Sequence, residues 1–377
     1  MQRERRHHRL IIALLSTLAL LSTACSQPLT IGSTTNGAIT PTSGTPGSSG
    51  PTRTKQCTHP SDADCAPGSG ITSATLYVEP DAKETPLVSA ISGAKQTIDV
   101  EMYLLTDHAV INGLESASHR GVKVRVMLEG HPYGQGAVTP QETISKLKAA
   151  GIDAKTTNPA YTLTHTKLML IDGQTAFISS ANYTFTALGG STQHQDRDYI
   201  VRDTVRADVT ECAAIYDADW NRTTPALSDP NLVVSPINSR QKLLAIIGNA
   251  KTSLHIEEEE MQDAAFVAAL LNAAKQGVAV SVVVPKFTSG SSDAHNVQQL
   301  TQGGVKVQQI DDRTNGGLYI HAKSIIVDAK LAYIGSINAS GASMDGNREI
   351  GILIADQSVI RQLDQIFTLD FQSVAAS

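Results

Sequence analysis

From Leu76 onward, runs with apolar residues at every second position alternate with stretches in which they recur every three or four. The segments TIDVEMYLL (97–105) and KVRVMLEG (123–130) read as strands, and DHAVINGLESASHRG between them has helical spacing and a glycine stop. ETISKLKAAG and DVTECAAIYDADW read as two further helices. The pattern then begins again. LYVEP (76–80) is answered by LVVSP (232–236), AKQTIDVE (94–101) by AKTSLHIE (250–257), and GVKVRVML (121–128) by GVAVSVVV (277–284), each at an offset of 156. Further on the offset is 151: RDYIV from Arg197 matches REIGI from Arg348, and YDADW (216–220) matches FTLDF (367–371). A register held over that length marks two copies of one unit, expected at 73–225 and 226–377. The alternation of elements predicts an α/β fold: two homologous α/β sandwich units with mixed sheets, packed about a pseudo-two-fold axis.

What precedes the repeats is different in kind. MQRERRHHR is a basic leader, followed by a short apolar stretch, LIIALLSTLALL (10–21). It is too short to span a bilayer and fits an export signal over residues 1–25. The step LLSTAC resembles a lipoprotein cleavage box with Cys25 as the acylated residue; ordinary signal peptidase cleavage is the alternative. Residues 26–72 are rich in Gly, Ser, Thr and Pro and read as a flexible linker. The expectation is an exported protein, either a membrane-anchored lipoprotein or periplasmic or extracellular. In an oxidising compartment Cys57 and Cys65 are candidates for a small disulfide loop, and Cys212 is left as a buried small hydrophobe. The formal charge is −6, and losing the leader removes four arginines and one glutamate, so the mature body is more acidic still. Such a chain is a poor partner for polyanions.

Chemistry enters with HTKLMLID (165–172) and its echo HAKSIIVD (321–328). Alternation along a strand puts His165 and Lys167 on one side and Asp172, beside Gly173, on the other. Asp172 and Asp328 therefore read as structural residues at a hairpin. The returning strands add Ser180 and Asn182 in ISSAN, and Ser336 and Asn338 in IGSIN. Brought face to face, the halves form a pocket of two imidazoles, two ammonium groups (Lys167 and Lys323), hydroxyls and carboxamides. Donors and cations alone around the centre suit a tetrahedral anion. One neutral histidine attacks phosphorus, and the other, protonated, gives its proton to the departing alkoxide. Asp198 and Glu349, at equivalent places after Arg197 and Arg348, are the candidates to orient the rings; the sequence leaves open which serves which.

HxKxxxxD followed by GSxN, twice in one chain, resembles the phospholipase D superfamily over about residues 73–374. The resemblance implies a phosphodiesterase or phosphatidyltransferase that needs no metal or other cofactor and works through a covalent phosphohistidine. It also implies His165 as nucleophile and His321 as general acid and base, within a single chain sufficient for a complete site. Ser179 departs from the first glycine of GSxN.

The favoured substrate is phospholipid at a membrane surface, hydrolysed to phosphatidate and alcohol. The alternatives are a nuclease, phosphatidyl transfer to an alcohol, and a phosphate-binding module without activity. A nuclease for single strands would want a basic groove with stacking platforms, and aromatic residues make up only 4% of the chain. The run HIEEEEMQD (255–263) reads first as a solvated strand end; the alternative places Glu257 or Glu259 at the pocket. Tyr103 and Tyr183 are candidates for its entrance, and Trp220 and Phe371 for packing.

Overall fold

The computed structural model describes residues 68–133, 138–312 and 317–373. The leader, Cys25, Cys57 and Cys65 lie outside them. The first half runs β1 (Ala74–Glu79), α1 (Thr85–Gly93), β2 (Thr97–Met102), α2 (His108–His119), β3 (Lys123–Leu128), α3 (Pro140–Ala149), β4 (Asp153–Thr156), β5 (Lys167–Ile171), β6 (Thr175–Ser179), β7 (Gln195–Asp203) and α4 (Arg206–Trp220). The second repeats it as β8 (Leu232–Ser235), α5 (Ser239–Gly248), β9 (Ser253–Glu258), α6 (Ala264–Lys275), β10 (Ala279–Pro285), α7 (Ser292–Gln302) and β11 (Lys306–Ile310). It ends with β12 (Leu318–Ile320), β13 (Lys323–Val327), β14 (Leu331–Gly335), α8 (Gly341–Asp345), β15 (Glu349–Ile354) and α9 (Gln357–Gln372).

Local chemistry repeats with the sequence. Asp107 caps α2 by accepting from the Val110 amide at 2.9 Å, and Asp263 caps α6 through Phe266 at 2.8 Å. Each helix buries one stripe, Val110, Ile111, Leu114 and Ala117 in α2 and Phe266, Val267, Leu270 and Ala273 in α6.

Each half builds a mixed sheet. β2 runs parallel to β3 and antiparallel to β5, and β9 does the same with β10 and β13. The orders are β1-β7-β6-β5-β2-β3-β4 and β11-β10-β9-β13-β14-β15-β8. The sheets face each other across a shared core that joins Leu168, Leu170, Ile178 and Val201 to Val234, Ile334, Ile350 and Ile352. Met169 and Ile171, of opposite parity in β5, belong instead to the outer core under α1, α2 and α3. β5 is therefore buried on both faces, which is why it reads as a continuous apolar run rather than an alternating one.

Two crossings tie the halves together. β12 leaves its own half and pairs in parallel with β7 (Tyr319↔Asp196, Ile320↔Arg197), so that the His321 amide donates to the Arg197 carbonyl at 3.2 Å. In the other direction Thr164 bridges to Arg348, and the His165 amide donates to the Arg348 carbonyl at 2.8 Å. The arginines are buried anchors of this seam. Arg197 donates to Asp370 of α9 (Nε to Oδ2, 2.6 Å), and Arg348 pairs with Asp219 of α4 (Nε to Oδ2, 2.9 Å). Each terminal helix thus supplies the carboxylate for the opposite half's arginine.

Candidate active site

The crossings decide the site. Because His165 is laid beside Arg348, its ring meets the next residue, Glu349: Nδ1 lies 3.0 Å from Oε2 and 3.2 Å from the Ser336 carbonyl. Because His321 is laid beside Arg197, its Nδ1 lies 2.9 and 3.0 Å from the two oxygens of Asp198. Each imidazole is oriented by the carboxylate of the other half. With two acceptors at its Nδ1, His165 carries the hydrogen there and leaves the Nε2 lone pair open. Both histidines line one cleft of about 440 Å³, together with Tyr103, Asn182, Glu259 and Asn338.

The lysines lie beneath this cleft, fully buried. Lys167 donates to the His165 carbonyl at 2.9 Å, and Lys323 donates to the His321 carbonyl and, at 2.6 Å, to Glu259. Burial and the neighbouring Lys323 charge pull the Lys167 ammonium down to about 7. Burial would lower Lys323 too, but Glu259 and Asp198 outweigh it and hold it above the ordinary lysine value. The histidines diverge in the same way. Burial and the Lys167 charge depress His165, more than Glu349 restores. Burial also opposes the charge on His321, but Asp198 and Glu259 raise it above the ordinary histidine value. One ring is set to be neutral and the other to hold its proton.

Several expectations need correction. The centre is not lined by donors and cations alone, because the Glu259 carboxylate stands in it. Lys167 and Lys323, expected to line the pocket, do not line the cleft; of the supporting serines, Ser180 donates to Asp198 at 2.5 Å and Ser336 to the Ile350 carbonyl at 3.3 Å, both fully buried. The HIEEEEMQD run is no solvated strand end, since Glu257 and Glu258 are buried in β9. Tyr103 stands at the cleft with its ring edge-on to His165, centroids 4.8 Å apart, whereas Tyr183 is core. Asp172 and Asp328 lie away from the cleft, each accepting from three consecutive amides, Lys95 to Thr97 and Lys251 to Ser253. Ser179 is accommodated because its hydroxyl donates to the Ala181 carbonyl at 3.1 Å; its counterpart Gly335 faces Gly351, where a Cβ would come within 2.4 Å of the Gly351 Cα. Among the described residues no group of three or more His, Cys, Asp or Glu is placed to hold a metal ion.

The doubled architecture has counterparts among known proteins. The family described as cardiolipin synthase, PLD-like domain, matches residues 87–220 and 243–371, more than half of the chain and both halves of the seam. The chain belongs to this phospholipase D-like family. Its similar relatives include cardiolipin synthase 2 of Staphylococcus epidermidis, 23% identical over 340 residues, covering 79% of this chain and 68% of that protein. Cardiolipin synthase of Clostridium perfringens is 22% identical over 343 residues, covering 79% and 70%. Among solved structures, phosphatidylserine synthase of Haemophilus influenzae aligns with a TM-score of 0.62 at 14% identity, over 79% of this chain and 86% of that one. Polyphosphate kinase of Porphyromonas gingivalis aligns with a TM-score of 0.62 at 15% identity, over 80% and 47%. At those identities the structural likeness establishes the phospholipase D-like fold. The relatives overturn the expectation of export: the proteins this chain resembles are cardiolipin synthases, and export is not shown. Among the described residues no helix is long and apolar enough to cross a membrane.

Sequence reasoning missed the exchange of acids and arginines between halves, and it underweighted Glu259. Glu259 did leave a signal: at the offset of 156 it answers Tyr103, an acid opposite an aromatic residue in otherwise matching strands.

Proposed function

We propose that this protein is a phosphatidyltransferase, passing a phosphatidyl group from a phospholipid to the hydroxyl of an acceptor alcohol. The observation that carries the reading is the pair of histidines in one cleft, each with a carboxylate on Nδ1 and with opposite protonation preferences. Neutral His165 attacks phosphorus through Nε2, forming the P–N bond as the P–O bond to the headgroup alcohol breaks. His321 gives its proton to the departing oxygen. It then takes a proton from the acceptor hydroxyl, whose oxygen attacks phosphorus and releases His165. Lys167, Lys323, Asn182 and Asn338 supply the positive and donor groups that favour the charge gathering on the equatorial oxygens. Water in the acceptor's place gives phosphatidate, the hydrolysis first expected from the sequence. Transfer is favoured over it because the relatives that match 79% of the chain are cardiolipin synthases.

Vesicles of phosphatidylglycerol, incubated with the protein in EDTA and followed by mass spectrometry, test the reading. Cardiolipin and free glycerol are expected, and His165→Ala and His321→Ala should each lower turnover by at least about 10²-fold. Phosphatidate as the sole product would replace transfer by hydrolysis. Cleavage of single-stranded DNA with no action on lipid would overturn a lipid substrate altogether.

A further inference from the structure

The two half-sites share histidine, lysine, serine and asparagine and carry an acid each, Asp198 and Glu349, but differ in chemical kind at the place of Tyr103 and Glu259. In the strand register Met102 faces Lys167 and Glu258 faces Lys323, so Tyr103 and Glu259 each stand one residue past the partner of a site lysine. In the first half this place holds a ring: Tyr103 lies against His165, and the Lys167 ammonium is 5.3 Å from its centroid. In the second half it holds a carboxylate. Glu259 Oε2 accepts from Lys323 Nζ at 2.6 Å and from Asn338 Nδ2 at 3.4 Å, and lies 3.6 Å from His321 Nε2. Its other oxygen accepts from the Tyr319 hydroxyl at 3.2 Å.

We infer that Glu259 is a positioning residue that gives a nearly symmetric site its direction, acting through His321 and Lys323 to make the second half the proton-donating one. The inference rests on the phosphatidyltransferase reading only for which step that direction serves. Two ring nitrogens, each facing a carboxylate, fix the imidazolium form of His321: Asp198 holds Nδ1 and Glu259 faces Nε2. Among the described residues the ring's other charged neighbours are Asp196 on β7, held up to about 6 by burial, and Lys323 on β13, which opposes the proton. Tyr103 offers His165 no such charge, and that ring is left neutral. The same carboxylate occupies Lys323 and Asn338, two of the donors a phosphoryl group would use. An arriving phosphate must therefore compete with Glu259 in the second half and, among the described residues, meets no carboxylate hydrogen-bonded to Lys167 in the first.

Glu259→Gln keeps the shape and removes the charge. Losing an opposite charge within about 4 Å should bring the His321 titration down by about one pH unit, read by NMR on histidine-labelled protein with His321→Ala giving the assignment. Inorganic phosphate should bind the variant at least about tenfold more tightly, and Glu259→Asp should restore both properties toward those of the parent. The alkaline limb of the lipid-transfer profile should move to lower pH with the NMR titration. An unmoved His321 titration and unchanged phosphate affinity in a folded Glu259→Gln protein would overturn the inference, even where lipid transfer is observed. The titration and phosphate shifts need no turnover, so their appearance in a protein inert toward lipid would uphold Glu259's role while removing the phosphatidyl-transfer reading. Glu259→Tyr, which copies the first half, gives a second variant for the same two measurements should the amide unsettle the fold.

Discussion

Identical imidazoles with identical motif neighbours titrate apart because of charges contributed from elsewhere in the chain. Glu349 supports the proton on His165 against burial and Lys167, and Asp198 does the same for His321. Removing each carboxylate lowers the pKa of its own ring, but the consequences for rate fall on opposite limbs. Glu349→Gln should carry the acid limb of the activity profile to lower pH, since the proposed attack uses His165 deprotonated. Asp198→Asn should carry the alkaline limb to lower pH, since the proposed proton transfer uses His321 protonated. Each should also cost about 10²-fold in turnover through the loss of ring orientation, and pH–rate profiles of the two variants check both effects. The residues themselves were readable from the repeat, because equivalent positions after Arg197 and Arg348 could be counted off. Their pairing was not readable, since an offset relates a residue to its copy and says nothing of which copy it touches. Glu259 hid for the opposite reason: repeat reasoning looks for agreement, and Glu259 is a disagreement.

The motif hairpins show the same division at the level of elements. In both, the turn places its two central residues at positive φ, 53° at Asp172 and 61° at Gly173, then 53° at Asp328 and 51° at Ala329, with a closing bond from Gln174 to Ile171 and from Lys330 to Val327. The aspartate in each is anchored by three amides, and burial, which would raise the Asp328 carboxyl, is outweighed by those hydrogen bonds so that it is drawn down to about 2. Its contribution to stability is complete above the ordinary aspartate value and lost as pH falls toward about 2. Ala329 sits where glycine is easier. Ala329→Gly should therefore raise stability by up to about 1 kcal/mol, and Gly173→Ala, where a Cβ meets open space, should cost about 1 kcal/mol through backbone alone. Thermal melts measure both, and neither change should alter site chemistry. DG announced the first hairpin in the sequence. DA does not announce the second, which came to light through its register with the first.

For the molecule as a whole, the two-unit architecture was legible because a fixed offset survives any divergence that keeps the core. The seam was not. β12 crossing to β7, and Asp219 and Asp370 reaching the opposite arginines, follow from how the sheets meet, and hydrophobic periodicity records only that a face is covered. Replacing Arg197 with alanine would strand the buried Asp370 and cost about 3–5 kcal/mol. The crossings also complete the cleft within one chain. Mixing His165→Ala with His321→Ala protein should therefore restore no transfer activity, and recovery in the mixture would show sites shared between chains. The swapped carboxylates carry a further implication. A polypeptide with one copy, alone, would own a histidine whose acid faces outward, useful only to a twin bound against it. Fusion makes that twin permanent. It also permits what identical twins are denied, a tyrosine in one and a glutamate in the other, and so a division of labour written into a single gene.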